Sequence, residues 1–338
     1  MGALTTADQI SEIAFGFMGS KALFAALEHG VFTELDKGPN DAEGLAAATD
    51  LDPDRAQTLL TALAGLGLVH PDAAGRFANS PAAEAFLVKG AKYDFGDYLR
   101  LQVGRQMYGL LDQIDAALTG SLPPEATASY EDWFADADEA RLYSQSQHAG
   151  SLGPARQLAR HLDLSDAQTM LDVGGGTGAF AITLCEANPE LTATVVDFPN
   201  VASLGRGYVD RAGLSDRITY VEGNALETNW PEGQDLILMS YLFSGVPGVS
   251  HDRLIDDAVA RLNPGGRLLI HDFVVHADRT GPKLAALWQL QHTAFTPRAR
   301  SLDEAWLRLA LIAAGLEDVT VEEMIPEMTM LATGVKPA

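Results

Sequence analysis

Residues 171–180, LDVGGGTGAF, decide the fold of this chain. The stretch reads as a short strand, a turn with glycines at 174, 175, 176 and 178, and the start of a helix. Glycine is needed where the chain turns sharply and where a ligand approaches the backbone closely. A second strand, in TVVDFPNV at 194–201, ends in Asp197, from which a carboxylate can bind both hydroxyls of a ribose. The two segments predict a nucleoside-containing cofactor at the end of a parallel sheet.

The sequence around this turn alternates between strands and helices from about residue 155 onward. Helical patterns separate runs rich in β-branched residues: TMLDVG, LTATVVDF, ITYVEGN, DLILMSYLF, GRLLIHDFVV, LEDVTVEEM and TMLATGVK. Such alternation is typical of a doubly wound α/β domain with a mainly parallel sheet. We expect this domain to span 151–338, with the last two strands forming an antiparallel pair at one edge.

The N-terminal part, 1–150, reads as mainly helical. An amphipathic helix at 8–30 precedes short helices, for which Asp41 and Asp52 are candidate N-caps, and a small hairpin. This order is that of a winged helix, but the segment DPDRAQTLLTALAGLG carries one arginine, which argues against DNA binding. We therefore expect a dimerisation and substrate-lid domain, while a regulator that senses the cofactor stays an alternative. The loop TGSLPPEATAS at 119–129 is the most linker-like segment.

Composition narrows the range of partners. The formal net charge is −23, from 23 lysines and arginines against 46 aspartates and glutamates, which opposes binding to nucleic acid or anionic lipid. The single cysteine, Cys185, cannot form an internal disulfide and favours a reducing compartment. The sequence shows no basic leader and no uninterrupted apolar run of about 20 residues, the length that spans a membrane. We expect a cytoplasmic protein.

Three features favour S-adenosylmethionine over a dinucleotide as the cofactor. Asp172 precedes the glycine turn, where a carboxylate suits an amino group better than a pyrophosphate. Asn224, in YVEGNAL at 220–226, can hold an adenine amino group, and LNPGGRLLIHD at 262–272 adds a Pro-Gly-Gly turn before a strand. The predicted cofactor-binding residues are Asp172, Gly174, Gly175, Gly176, Gly178, Asp197, Phe198, Asn224, Ala225 and Ser240.

These segments resemble the class I methyltransferases, and the chain as a whole resembles the small-molecule O-methyltransferase superfamily of the acetylserotonin and plant-phenol type. The resemblance rests on LDVGGGTGAF, VVDFPNV, EGNAL and NPGGRLLIHD. It implies a winged-helix dimerisation domain, a Rossmann-like catalytic domain and a homodimer whose N-terminal helices help to cover the active site. Members often carry aspartate where this chain has Asn224.

One residue that the resemblance implies is missing. The superfamily usually reads L-S-H-V-L-H-D-W after the fourth strand, and the second histidine there is the general base. This chain reads LMSYLFSGVP, with Ser244 at the base position and Gly245 after it. Serine is no base at neutral pH without an activating partner. Either a base comes from elsewhere, with His251, His271 and His292 as candidates, or none is needed, as for a thioether acceptor that requires only alignment.

The expected substrate pocket is polar. By comparison with the superfamily, the ring-clamping methionines are replaced by Gln145 and His292. Neighbouring polar residues extend the predicted substrate set to Arg105, Tyr108, Tyr143, Gln145, His148, Gln289 and His292. Such a set suits a small anion. No metal site is predicted, because one histidine is a weak metal signal.

Within the superfamily, GFMGSKALFAALEHGVFTEL and SYLFSGVPG resemble the bacterial methylthiohydroxybutyrate S-methyltransferases of dimethylsulfoniopropionate synthesis. That resemblance implies S-methylation of 4-methylthio-2-hydroxybutyrate, a small anionic thioether, without a general base. Two alternatives stay open. They are C-methylation of a 2-keto acid or an electron-rich ring, and O-methylation of a phenolic natural product with a displaced base.

Overall fold

The computed structural model describes residues 3–123, 130–296 and 298–338. The chain divides into two compact units, Met1–Tyr108 and Gly109–Ala338. The sequence had placed the division at 150, but one continuous helix, Ala137–His161, crosses that position and belongs wholly to the second unit. Pro124, in the predicted linker, lies outside the described residues.

The first unit is helical with one small hairpin, as the sequence predicts. Asp41 and Asp52 are N-caps, their carboxylates accepting backbone N–H groups from Gly44 and from Asp54 and Arg55. Its core contains the fully buried Phe32, Leu45, Leu60 and Leu63. Its elements are α1 (Ala7–Glu28), α2 (Val31–Asp36), α3 (Ala42–Ala48), α4 (Pro53–Gly65), β1 (Val69–Pro71), β2 (Phe77–Asn79), α5 (Pro81–Phe86) and the wider-wound helix Tyr98–Met107.

The second unit carries the alternation read from the sequence. Its helices are α6 (Ile114–Leu118), α7 (Tyr130–Ala135), α8 (Ala137–His161), α9 (Ala179–Ala187), α10 (Pro199–Arg211), α11 (His251–Arg261), α12 (Lys283–Phe295) and α13 (Glu304–Ala313). Its strands are β3 (Thr169–Val173), β4 (Thr192–Asp197), β5 (Ile218–Glu222), β6 (Gln234–Ser240), β7 (Leu262–Asp272), β8 (Glu317–Ile325) and β9 (Thr329–Val335).

Within the described residues the seven strands of this unit form one sheet in the order β5-β4-β3-β6-β7-β9-β8. The first five are parallel, whereas β9 runs antiparallel to both β7 and β8. Helices α8, α9 and α10 contribute to the core on one face, and α11 and α13 to the core on the other. This three-layer arrangement confirms the predicted Rossmann-like fold.

The order of the strands locates the candidate site. The chain runs from β3 outward to β4 and β5, and then returns to place β6 on the other side of β3. Ligands of open α/β sheets bind at such a reversal, beyond the carboxyl ends of the strands. The glycine turn follows β3, Asp197 ends β4, and Ser240 ends β6, so three predicted cofactor segments meet there.

Helix α1 differs from the sequence analysis in one respect. Among the described residues it is long and apolar enough to cross a membrane by length and composition alone. Its few charges interrupt the apolar run without removing its apolar character. Only 6% of the 18-residue apolar segment in this helix is buried within the chain. The helix therefore exposes an apolar surface that a partner would have to cover.

Candidate active site

The glycine turn is shaped for close approach by a ligand. Gly174, Gly176 and Gly178 have φ angles of 68°, 60° and 76°, in the left-handed region that glycine adopts without strain. A Cβ on Gly174 would lie 2.9 Å from a methyl group of Leu242, and one on Gly175 would lie 2.5 Å from the Asp172 carboxyl carbon. The turn therefore has no room for side chains on the protein side.

The side chains of Tyr220 and His148 hold the glycine turn through hydrogen bonds. The Tyr220 hydroxyl donates to the carbonyl of Gly176 at 3.2 Å. The Nδ1 atom of His148 lies 2.8 Å from the Thr177 hydroxyl, and the His148 ring stacks on Tyr208 with a centroid distance of 3.9 Å. Burial lowers the pKa of His148 to about 4, so its ring is neutral. In this structure His148, predicted to bind substrate, holds the cofactor turn.

Two buried aspartates give this end of the sheet a negative potential. The Asp197 carboxylate accepts the N–H of Gly176 at 2.7 Å and that of Phe198 at 2.8 Å, while burial raises its pKa to about 6. Asp172 is fully buried, and neither of its oxygens has a well-formed hydrogen bond among the described residues, where the nearby N–H of Ala181 is a minor influence that favours its charged form. Burial and then the charge of Asp197 raise its pKa to about 7. Unpartnered buried oxygens beside a glycine cradle fit the cationic amino acid part of S-adenosylmethionine.

A cavity of about 330 Å³ opens at this edge of the sheet. Seven of the ten predicted cofactor residues line it: Gly174, Gly176, Asp197, Phe198, Asn224, Ala225 and Ser240. Asn224 caps its own loop by accepting the N–H of Leu226 at 3.0 Å. Ser240 lies 2.9 Å from Nδ1 of His271, whose Nε2 atom is 2.8 Å from the Thr329 hydroxyl.

Aromatic rings line another part of the cavity. Tyr130, Phe134 and Tyr143 line it, and the hydroxyls of the two tyrosines are hydrogen-bonded at 3.1 Å. The Tyr130 ring packs edge-on against Phe295, with centroids 4.7 Å apart. A Cβ on Gly245 would lie 2.8 Å from this ring, so glycine at the position where the superfamily carries aspartate leaves room for Tyr130.

The polar residues expected to hold a small anion are mostly engaged elsewhere. The Gln289 amide donates to the carbonyls of Phe273 and Leu302 at 2.6 and 2.7 Å, and its oxygen accepts the Ser301 hydroxyl. Nδ1 of the buried His292 lies 2.8 Å from the Trp288 carbonyl, and burial lowers the pKa of His292 to about 4. Neither side chain lines the cavity.

The face of α8 that reaches the cavity differs from the predicted one. Gln145 is exposed and does not line the cavity, whereas Tyr143, Ser144 and Gln147 do. The reason is helical phase, because residues at i, i+1 and i+4 share a face and i+2 points away. The sequence prediction placed the glutamine two residues too early.

Arg105 and Tyr108 belong to the first unit. Arg105 is exposed, and the Tyr108 ring has the ammonium group of Lys21 at 3.8 Å from its centroid and the edge of Phe24 at 6.1 Å. Their roles toward substrate stay predictions. Among the described residues that line the cavity, none is lysine, arginine or histidine.

A carboxyl group that the sequence analysis missed contacts Ser244, the residue at the position of the lost base. Neither Asp272 nor Ser244 lines the cavity, whereas the adjoining Gly245 does. The buried Asp272 accepts the backbone N–H of Ser244 at 3.0 Å and also the Ser244 hydroxyl. Its other oxygen accepts the N–H of Phe273 at 2.7 Å. Burial raises the pKa of Asp272 to about 6. The signal was present in the sequence, since Asp272 ends the strand beside β6 and its neighbour His271 pairs with Ser240.

The other candidate bases are held within the fold. His271 is buried between Ser240 and Thr329, and burial lowers its pKa to about 3. His251 is buried with Nε2 2.9 Å from the carbonyl of Phe243, and burial lowers its pKa as well. Neither lines the cavity.

Comparison with known proteins identifies the family. The family model of the O-methyltransferase domain matches residues 125–315, and that of the O-methyltransferase dimerisation domain matches 11–89. The chain is 30% identical over 332 residues to the 3-hydroxy-5-methyl-1-naphthoate 3-O-methyltransferase of Streptomyces sahachiroi, covering 97% of this chain and 94% of that protein. It is 27% identical to the tetracenomycin polyketide synthesis 8-O-methyltransferase of Streptomyces glaucescens, covering 97% and 96%.

Solved structures share the fold. Human N-acetylserotonin methyltransferase in complex with S-adenosylmethionine superposes with a TM-score of 0.86 at 22% identity, covering all of both chains. CalO1, a methyltransferase of calicheamicin biosynthesis solved with S-adenosylhomocysteine, gives a TM-score of 0.81 at 25% identity, also covering both chains fully. The chain is thus an S-adenosylmethionine-dependent methyltransferase that belongs to the O-methyltransferase family and carries that family's dimerisation domain.

Proposed function

We propose that this enzyme transfers a methyl group to a hydroxyl on the aromatic ring system of a natural product. Two relatives are named as O-methyltransferases of a hydroxynaphthoate and of tetracenomycin polyketide synthesis, which supports oxygen as the acceptor atom. An identity near 30% is compatible with different methyl acceptors. We therefore choose between acceptors from the residues that line the cavity.

The observation that best supports an aromatic acceptor is that Tyr130, Phe134 and Tyr143 line the cavity. Flat rings pack well against such surfaces in offset or edge-on geometry. A small carboxylate would need a cation or a cluster of free donors, and the cationic residues predicted for it do not line the described cavity. The lining acids Glu131 and Asp197 would also repel a substrate anion that carries no positive charge of its own.

The earlier expectation of thioether S-methylation in dimethylsulfoniopropionate synthesis is not supported by the comparisons. The relatives found are mainly O-methyltransferases. The physical reason for the misreading is that an absent histidine was taken to mean that no base is needed. A carboxyl group from a neighbouring strand now offers the alternative.

O-methylation requires that the acceptor oxygen lose its proton as the new bond to carbon forms. The cofactor supplies an electrophilic methyl group on a sulfonium. We assign the proton to the Ser244–Asp272 pair: the acceptor hydroxyl would give its proton to the Ser244 oxygen while the Ser244 proton moves to the Asp272 carboxylate. A carboxyl with a pKa of about 6 is ionised at neutral pH and is a stronger base than an ordinary aspartate.

The test is a panel of acceptors with the purified enzyme, followed by S-adenosylhomocysteine release and mass spectrometry of the product. The panel holds hydroxynaphthoates, caffeate, phenylpyruvate and 4-methylthio-2-hydroxybutyrate. We expect turnover of a hydroxyaromatic acceptor with the new methyl group on oxygen, and a neutral hydroxynaphthalene added to the panel should be preferred to the hydroxynaphthoates, because the lining acids disfavour a carboxylate. Exclusive turnover of the thioether would restore S-methylation, and a carbon-bound methyl group on phenylpyruvate would favour the C-methylation alternative.

A further inference from the structure

One buried hydroxyl in the cavity has no role in the fold. Ser144, on α8, is 3% exposed, lines the cavity, and its hydroxyl oxygen has no hydrogen-bond partner among the described residues. Serine hydroxyls within helices ordinarily bond back to a carbonyl of the preceding turn. Ser146 does so, donating toward the carbonyls of Leu142 and Tyr143 at 2.9 and 2.8 Å. A buried hydroxyl without a partner carries a free-energy cost that a ligand can relieve.

The position of Ser144 on α8 indicates which ligand atoms it meets. It lies one helical turn before His148, on the same face, and His148 contacts the Thr177 hydroxyl in the glycine turn. Gly176, Thr177 and Val201, the last from α10, line the same cavity. Ser144 therefore faces the end of the cavity formed by the glycine turn.

The charges around the cavity indicate which group of the cofactor Ser144 contacts. S-adenosylmethionine carries a carboxylate in its amino acid part, and the described residues that line the cavity include Glu131 and Asp197 but no lysine, arginine or histidine. Asp197 is placed for the ribose and Asn224 for the adenine. Among the described lining residues only neutral donors can then meet the cofactor carboxylate, and a serine hydroxyl is one of them.

We infer that Ser144 is a cofactor-binding residue whose hydroxyl donates a hydrogen bond to the carboxylate of S-adenosylmethionine. The inference rests on the cofactor and not on the identity of the acceptor, so the proposed O-methylation can fail while this assignment holds. It adds a contact from α8 to a site that the sequence motifs place wholly on the loops after the strands.

The experiment compares Ser144→Ala with Ser146→Ala, two buried serines on the same helix. Calorimetry measures the Kd of S-adenosylhomocysteine, which has the amino acid part, and of 5′-methylthioadenosine, which lacks it. We expect Ser144→Ala to weaken S-adenosylhomocysteine about tenfold, the effect of one hydrogen bond to a charged group, and to leave 5′-methylthioadenosine unchanged. Ser146→Ala should change neither affinity by more than about twofold.

A thermal midpoint without ligand completes the test. Ser144→Ala should melt at or above the wild-type temperature, because its hydroxyl has no partner to lose in the ligand-free chain. The assignment is overturned if Ser144→Ala keeps wild-type affinity for S-adenosylhomocysteine. It is equally overturned if both ligands weaken together, or if only the KM of the acceptor rises.

Discussion

The proposed proton acceptor, the pair Ser244 and Asp272, joins two residues that are distant in sequence. Serine at the base position looked like the loss of a function, but the carboxyl that contacts it comes from the end of β7, 28 residues later in the chain. The pairing of β6 with β7 brings the two together. No local pattern could show this contact, although the strand order makes it a consequence of the fold.

If Asp272 receives the proton, the rate must follow its ionisation. The base acts in its charged form, and with a pKa of about 6 the kcat should rise with pH and level off above pH 7. Asp272→Asn should lower kcat at least about 100-fold and abolish this rise. Its Kd for S-adenosylhomocysteine should stay near the wild-type value.

The matched control is Asp278→Asn, at an exposed turn where the carboxylate accepts from Thr280. It should keep both the kcat and the pH profile. A wild-type kcat that does not change between pH 5 and pH 8, or an Asp272→Asn enzyme of full activity, would remove Asp272 from the reaction.

The buried charge of Asp172 should lower the stability of the ligand-free fold and strengthen binding of the cofactor. Its raised pKa of about 7 means that the folded chain holds this proton more tightly than the unfolded chain, where the usual value is 3.8. Its contribution to the free energy of unfolding therefore falls as pH rises from about 4 to 7. Asp172→Asn removes a buried charge at constant shape. Without ligand it should melt above wild type at pH 8, and this difference should shrink toward pH 5.

The same substitution should weaken binding of S-adenosylhomocysteine, because it removes the buried charge that we expect to attract the cationic amino group. Differential scanning calorimetry and titration calorimetry check the two effects. A variant that is both less stable at pH 8 and unchanged in affinity would show that Asp172 is a structural group with a partner that it needs.

The positions of residues within short motifs were predictable because the local sequence sets them, while their contacts with the cofactor stay predictions. The glycine turn, Asp197 and Asn224 follow directly from the strand-turn-helix pattern and line the cavity. The positions of Gln289 and His292 were not predictable, because their partners are backbone carbonyls that become neighbours only in the folded chain. Gln145 was chosen by comparison with the superfamily, whereas the helical phase of α8 brings Gln147 to the cavity with Tyr143.

At the scale of elements, the strands were predictable and the domain boundary was not. Apolar β-branched runs marked each strand of the large sheet, including the antiparallel pair β8 and β9. The boundary was placed at 150 because the alternation of strands and helices begins near residue 155. Here Pro154 lies inside α8, whose buried Ser151, Ala155 and Leu158 keep the helix packed on the unit through this segment.

Helix α10 offers a test of how elements support the cofactor turn. A Cβ on Gly205 would overlap with the Tyr220 hydroxyl, which donates to the Gly176 carbonyl. Gly205→Ala should displace this support, lower the melting temperature and weaken binding of S-adenosylhomocysteine severalfold. Tyr220→Phe, which removes only the hydroxyl, should weaken binding with less loss of stability.

Gly207, on the same helix, is the matched control. A Cβ there meets nothing closer than the Arg211 guanidinium at 3.6 Å. Alanine favours a helix over glycine by about 0.5–1 kcal/mol, so Gly207→Ala should raise the melting temperature and leave affinity unchanged. Equal behaviour of the two alanine variants in thermal melting and ligand titration would mean that the Tyr220 contact does not support the turn.

At the scale of the whole molecule, α1 leaves an apolar surface that the single chain does not cover. Ile10, Ile13, Phe15, Phe17 and Met18 are between 52% and 66% exposed. Ile10, Ile13 and Phe17 are spaced to share one face of the helix, and an exposed apolar face marks an interaction site. The helix lies mostly within the match to the dimerisation domain at 11–89, which supports a homodimer as the state in which it is covered.

Charges on this surface should separate the subunits. In Ile13→Glu/Phe17→Glu, two carboxylates would have to be buried in each copy of the interface, which costs several kcal/mol without partners. We expect the wild-type chain to sediment as a dimer and the double variant as a monomer in analytical ultracentrifugation.

Leu309→Glu is the control, because Leu309 is 65% exposed on α13, outside the dimerisation domain, and should leave the dimer intact. A double variant that stays dimeric would place the interface elsewhere. A wild-type chain that is monomeric in buffer but floats with phospholipid vesicles would instead make α1 a membrane-binding helix, the other reading that its composition allows.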